Sequence, residues 1–210
     1  MRQFFVTVYL RMIIDSVILQ GTLVRLEPLH LRHRQALLSI AQASPEAFRY
    51  TSTPVTEEQA DSYFAKAFYM LKEGTAYPFV LIEQASGDVV GSSRYSDIQW
   101  QYRNCELGYT WIAPAKQGSG INVESKYLML RYIFEEQGFV RVQIHTDMRN
   151  TQSQEAIKRL GATCEGVMRR HMINKNGYIR DSMIFAITDL DWPRVKRHLE
   201  QRLRKRLPVR

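Results

Sequence analysis

From Val17 to Leu29 (VILQGTLVRLEPL) apolar and β-branched residues run on both sides of Gln20-Gly21, a two-residue turn signal, which predicts a strand or a short hairpin. The period then changes: between Leu31 and Ala43 the apolar positions Leu37, Leu38, Ile40 and Ala41 fall on one face of an amphipathic helix. Thr56, with Gln59 three residues on, has capping-box spacing. Tyr63, Phe64, Ala67, Phe68 and Leu71 continue at helical intervals until Gly74, predicting a second helix over roughly 57–73. Strand patterns follow over Pro78 to Glu83, Val89 to Ser96 and Cys105 to Ile112, the first two separated by the turn Ser86-Gly87-Asp88. Helical spacing returns in Val123, Tyr127, Leu130 and Phe134 and stops at Gly138, while Val140, Val142 and Ile144 alternate with Arg141, Gln143 and His145 in a further strand. A helix over Ser153 to Leu160 ends at Gly161. Two extended runs then flank Asn174-Lys175-Asn176-Gly177, an Asn-Gly hairpin turn, and a last helix begins at Asp191 with Trp192, Val195 and Leu199 inward.

This order (β, α, α, three strands, α, β, α, two strands, α) predicts one α+β or α/β domain over 17–190. It is preceded by an extension, 1–16, and followed by a basic helix and tail, 191–210. A chain of 210 residues with 45% hydrophobic and 24% charged content fits a single globular unit and excludes disordered and collagen-like classes. Cys105 and Cys164 can form neither a disulfide framework nor a tetrahedral zinc site, so reduced thiols and no metal are expected. The longest apolar run, Phe4 to Leu10, is broken by Arg11 and lacks a small-residue cleavage site. Neither a membrane span nor a signal peptide is expected, which favours a cytoplasmic protein, monomeric or homodimeric.

The net charge of +8 is unevenly placed. Between Arg194 and Arg210 eight Lys and Arg face Glu200 alone, +7, which leaves the preceding 193 residues near +1. A basic tail on a nearly neutral body is either a solvated helix end or an accessory contact to a polyanion such as ribosomal RNA. From Arg202 onward it is expected to be dispensable for folding.

Two segments carry chemistry. Gln117-Gly118-Ser119-Gly120-Ile121-Asn122 lies between a strand and a helix, where a glycine-rich turn directs free N–H groups and the helix dipole at a phosphate. Its spacing is neither that of a P-loop nor that of a dinucleotide fingerprint. The second runs from Asn150 to Ala162 after the strand through Ile144. Ser153 falls there on the apolar helix face, as an N-terminal cap or as a contact to ligand.

Together with the element order, these segments resemble the GNAT superfamily of acetyl-CoA-dependent N-acetyltransferases, of the ribosomal-protein-alanine acetyltransferase (RimJ/RimL-like) type. The resemblance spans 17 to about 190 and includes Glu106-Leu107-Gly108-Tyr109, Asn150-x-x-Ser153-x-x-Ala156-Ile157-x-x-Leu160-Gly161 and Glu165-Gly166-Val167-Met168-Arg169. It implies a twisted, mostly antiparallel mixed sheet of about seven strands flanked by helices. It also implies acetyl-CoA bound by Trp111, Ile112, the loop residues Gln117, Gly118, Ser119, Gly120, Ile121 and Asn122, Asn150 on the pantetheine arm, and Ser153 near the sulfur. Gln117 and Gly120 match the family loop, whereas Asn122 stands where the family has Gly or Ala.

The implied reaction is direct attack of a neutral amine on the thioester, with backbone N–H groups near Thr110 and Trp111 polarising its oxygen. Ser153 would protonate the departing sulfur. Glu106, expected on the same strand face as Gly108 and Thr110, is either the base or merely ion-paired. His145, which alternates toward the surface, and His171 are further candidate bases. Glu57, Glu58 and Asp61 sit in a helix first turn, which the dipole already explains. The acceptor is expected to be a protein N-terminal α-amine, with a small-molecule amine or a non-catalytic acyl-CoA-binding module as the alternatives.

Overall fold

The computed structural model describes residues 17–174 and 177–206. The extension 1–16, the centre of the Asn174–Gly177 turn and the last four residues lie outside the described residues. Eight strands form one sheet in the order β1-β2-β3-β4-β5-β6-β8-β7. They are β1 Leu19–Gln20, β2 Val24–Pro28, β3 Tyr77–Glu83, β4 Val89–Gln99, β5 Asn104–Ile112, β6 Arg141–Asp147, β7 Thr163–Ile173 and β8 Ile179–Thr188. Five α-helices accompany them among the described residues: α1 Arg34–Gln42, α2 Glu57–Lys72, α3 Ile121–Arg131, α4 Thr151–Lys158 and α5 Trp192–Arg204. The eighth strand arises because 17–29 forms a hairpin rather than one strand, with β1 antiparallel to β2.

The sheet separates two cores. Leu37 and Ala41 of α1 and Tyr63, Phe64 and Ala67 of α2 pack with Val80, Ile82 and Trp111 on one face. On the other, Tyr77, Phe79 and Leu81 meet α3, α4 and α5. The central strand β3 is therefore apolar on both faces and reads as an unbroken run instead of an alternation. At the edge hairpin, Glu124 of α3 is buried and accepts from the backbone N–H groups of Thr22, Leu23 and Val24 at 3.0, 2.6 and 2.8 Å. Three charge-assisted bonds hold the hairpin turn against α3.

All ladder pairings are antiparallel except β5 with β6, which run parallel only from Asn104 opposite Arg141 to Glu106 opposite Gln143. Beyond that point they separate, so among the described residues the β6-facing edge of β5 from Leu107 to Ile112 has no strand beside it, while β6 stays paired to β8 through Asp147. Tyr109 holds a left-handed backbone, φ 51°, and the register between Ser92–Trp111 and Arg94–Gly108 shifts by one residue. This bulge corrects the expected alternation. Glu106, Gly108 and Trp111 face α2, but Thr110 is turned to the opposite face, where it meets Ser93 and Lys126.

The C-terminal segment also differs from expectation. Leu203 continues the series Trp192, Val195 and Leu199 and is buried in the main core, and Arg202 donates to the Arg159 carbonyl. Arg206 donates to the carbonyl of Gly118, inside the glycine-rich loop. The chain from Arg202 to Arg206 is therefore a structural part of the body. Among the described residues no helix is long and apolar enough to cross a membrane.

Candidate active site

The separation of β5 from β6 opens a cleft of about 1590 Å³ that runs from the 117–122 loop, past the β5 edge, to the underside of α2. Its lining includes Glu106, Trp111, Ile112, Gln117, Gly118, Gly120, Asn122, Asn150 and Ser153. Of the loop positions expected to bind acetyl-CoA, Ser119 and Ile121 stand apart from it, and so do the candidates His171, Glu57, Glu58 and Asp61. Ile121 is a core residue, and the exposed Ser119 hydroxyl donates to the Lys116 carbonyl to close the turn.

The loop's geometry follows from its glycines. Gly120 has φ 99°, a left-handed backbone that any side chain would strain, and a Cβ there would come within 2.8 Å of Leu23 Cδ1, so the Leu23 side chain would also have to shift. Gly118, φ 80°, faces open space. The loop delivers the chain into α3, whose N-cap Gly120 provides no side-chain acceptor; Ile121 N–H donates to Ser119 Oγ at 3.4 Å, and the N–H groups of Asn122 and Val123 have no side-chain cap. Gln117 is tied across the cleft by the amide of Gln152 at 3.0 Å. The buried Oδ1 of Asn122 has no hydrogen-bond partner.

On α4 the cap is Asn150, whose Oδ1 accepts from the Ser153 backbone N–H at 3.0 Å. The capping role considered for Ser153 thus belongs to Asn150. The Ser153 hydroxyl makes no hydrogen bond within the described residues and stays available at the cleft wall.

Under α2 lies a polar group. Glu106 Oε2 stands 3.5 Å from His145 Nδ1, and the His145 and His171 rings meet edge to face at 5.6 Å. His171 Nδ1 lies 2.9 Å from the Ser182 hydroxyl, and burial, with the charges of His145 and Arg180, lowers its pKa. His145, expected at the surface, is only 11% exposed in its side chain, because Glu106 and the His171 ring pack against it inside the cleft. Glu57 and Asp61 instead bind Arg34, at 2.6 and 2.7 Å, outside the cleft. Neither cysteine is in the lining: Cys105 is buried, which raises its thiol pKa, and Cys164 is exposed.

Two cations went unnoticed in the sequence. Arg94 of β4 is completely buried, its guanidinium over the rings of Tyr63 and Tyr109 at 4.7 and 4.1 Å. Lys126 of α3 is buried, donates to Thr110 Oγ1 and lies 3.3 Å from Ser93 Oγ, and burial pushes its pKa down to about 7 despite the Glu106 charge. The unfolded chain would hold that proton up to pH ~10.4. Between pH 7 and that value the unfolded state therefore binds more protons, and stability rises with pH. Lys126→Met is expected to stabilise the fold by roughly 1–4 kcal/mol at pH 6, where the ion is buried, with the gain shrinking by pH 9. Urea unfolding at the two pH values reads this directly.

A family model described as an acetyltransferase (GNAT) domain matches residues 24–163, two thirds of the chain and both walls of the cleft. The chain belongs to the GNAT acetyltransferase family. Among GNAT relatives, the [ribosomal protein uS5]-alanine N-acetyltransferase of Escherichia coli (strain K12) is 28% identical over 122 residues, 58% of this chain. That match spans 62% of the relative's length. The crystal structure of a GCN5-related N-acetyltransferase from Brucella melitensis superposes with a TM-score of 0.80 at 27% identity, over 89% of this chain and 85% of that one. Mycobacterium smegmatis RimJ in complex with CoA-disulfide shares the fold, with a TM-score of 0.73 at 22% identity over 90% of this chain and 93% of that one.

Proposed function

We propose that this GNAT protein moves the acetyl group of acetyl-CoA to a primary amine, a protein N-terminal α-amine foremost, by direct attack in a ternary complex. The observation that carries the reading is the divergence of β5 and β6 beyond Glu106 and Gln143, which joins a phosphate-suited loop to a carboxylate–imidazole pair through one cleft. The residues present fit acetyl-CoA. The open start of α3 and the guanidinium groups of Arg202 and Arg206 suit its phosphates, the unpaired β5 edge suits its amide-bearing arm, and Ser153 carries a free hydroxyl. When bound, acetyl-CoA supplies an activated acyl carbon.

The chain's own groups then have defined tasks. Backbone N–H groups on the unpaired edge of β5 polarise the thioester oxygen. Glu106, with His145 beside it, takes the proton that the amine nitrogen loses as the new C–N bond forms. Ser153 hands a proton to sulfur as the C–S bond breaks and regains one from solvent. No side chain becomes acylated, consistent with a buried Cys105 whose thiol is held protonated.

An α-amine with pKa about 7.7–8.0 is ~10% neutral at pH 7, whereas a lysine near 10.4 costs roughly 4–5 kcal/mol to deprotonate. The acceptor end of the cleft also carries Arg49, Lys66, Arg94, Arg149 and Arg180, which disfavour polyamines and aminoglycosides. The E. coli relative's name, a uS5-alanine N-acetyltransferase, points the same way. Exposed Arg197 and Arg204 on α5, with Lys205 just beyond it, would meet a ribosomal acceptor's RNA. The test is an acceptor panel. Peptides with a free N-terminus should react faster than spermidine or Nα-blocked lysine peptides, with kcat/KM rising to about pH 8 as the α-amine deprotonates. Turnover of polyamines alone, or acetyl found on internal lysines, would refute this choice of acceptor.

A further inference from the structure

Arg94 is the largest fully buried side chain in the molecule's described part, and none of its three guanidinium nitrogens has a hydrogen-bond partner. Such a group is costly: burying an unpaired ion costs several kcal/mol, and stacking on aromatic faces returns about 2. The Tyr63 and Tyr109 rings lie against the guanidinium and accept none of its hydrogen bonds, so its N–H donors are what remain for a ligand. Both rings are themselves fixed. Tyr63 bonds Ser92 at 3.1 Å, and Tyr109 sits on the β5 bulge with its left-handed backbone. The carboxylate on the same sheet face, Glu106, is turned toward His145. Asp147, the other buried acid of the cleft, is held by Arg149 at 2.9 Å. Arg180, which also lines the cleft, has an unpartnered buried Nε.

We infer that Arg94 is the seat for a carboxylate carried by the acceptor, close to its reacting amine. This deepens the proposed function and rests on it. A planar guanidinium held against two aromatic rings keeps its donor fork in place, the geometry that binds a carboxylate through two parallel bonds. Arg94 is opposite Gly108 in the ladder, two residues along β5 from Glu106 and on the same face, roughly 7 Å at strand spacing. A carboxylate there belongs to the same residue as the amine or to one of the next two. Either an acidic side chain near a peptide N-terminus or the α-carboxylate of a free amino acid would supply it.

The experiment measures kcat/KM for three sets of acceptors: free-N-terminus peptides with Asp or Glu at positions one to three, the same peptides with Asn or Gln, and free amino acids. Wild-type protein is expected to favour the acidic peptides at least tenfold, with the difference in KM. Arg94→Gln should erase that preference while keeping CoA binding by calorimetry, and Arg94→Lys should restore part of it. A preference for free amino acids that is lost in Arg94→Gln supports the carboxylate seat but assigns it to the α-carboxylate. Equal rates for acidic and amide peptides in the wild type, with free amino acids no better, overturn the inference even if the variants fail to fold. Failure of the proposed function looks different: no peptide in any set gains an N-terminal acetyl group.

Discussion

Glu106→Gln is expected to lower kcat by roughly 10²- to 10⁴-fold at pH 7, the usual contribution of a general base, while acetyl-CoA affinity is unchanged. The amide keeps the size of the carboxylate but cannot accept the amine's proton, and Glu106 makes no contact that holds the fold together. Its neighbour His145, at 3.5 Å, can accept a proton in its place only by turning its ring toward the amine. Stopped assays across pH 6–9 should show the loss at every pH. If Glu106→Gln turns over normally and His145→Gln does not, the imidazole is the base and Glu106 serves to orient it.

The second large effect is at Ser153. Ser153→Ala should reduce kcat by roughly 10²-fold, the low end for proton donation, because a thiol of pKa near 8.5 already leaves readily without help. Its melting temperature should not move, since the hydroxyl makes no bond within the described residues. Asn150→Ala provides the contrast: it removes the α4 cap and should cost about 1 kcal/mol of stability. Normal kcat in Ser153→Ala would remove the hydroxyl from the chemistry.

The element order was legible because each helix kept its apolar period and each strand its turn signals. Thr56 does accept the Gln59 N–H, at 3.2 Å, and Gly138 has the left-handed φ of 65° that ends a helix. What the sequence hid was mostly a consequence of one bulge. Alternation along β5 places Thr110 with Glu106, and nothing in Gly108-Tyr109-Thr110 announces that Tyr109 adopts a backbone usually left to glycine. The surface placement of His145 failed because a sheet face that looks solvated by alternation is covered here by neighbouring strands' side chains, Glu106 of β5 and His171 of β7. Lys126 and Arg94 did leave signals. Lys126 shares the helix face of Val123 and Leu130, and Arg94 sits at an inward position of a strand buried throughout its centre. The packing of the C-terminal segment is equally readable in the spacing from Leu199 to Leu203, which continues the apolar face of α5 through a stretch dense in positive charge.

Catalysis by this route requires one placement, that of the donor substrate in the gap between β5 and β6 with the acceptor entering beneath α2. A crystal structure of the protein with CoA and an N-terminally free acidic peptide tests it most directly. The pyrophosphate should lie on the Gln117–Asn122 loop beside Arg206, the pantetheine arm along the unpaired edge of β5, the sulfur near Ser153, and the peptide amine within hydrogen-bond reach of Glu106. Density for CoA outside this gap, or a peptide amine held far from Glu106 with CoA in place, would contradict the account.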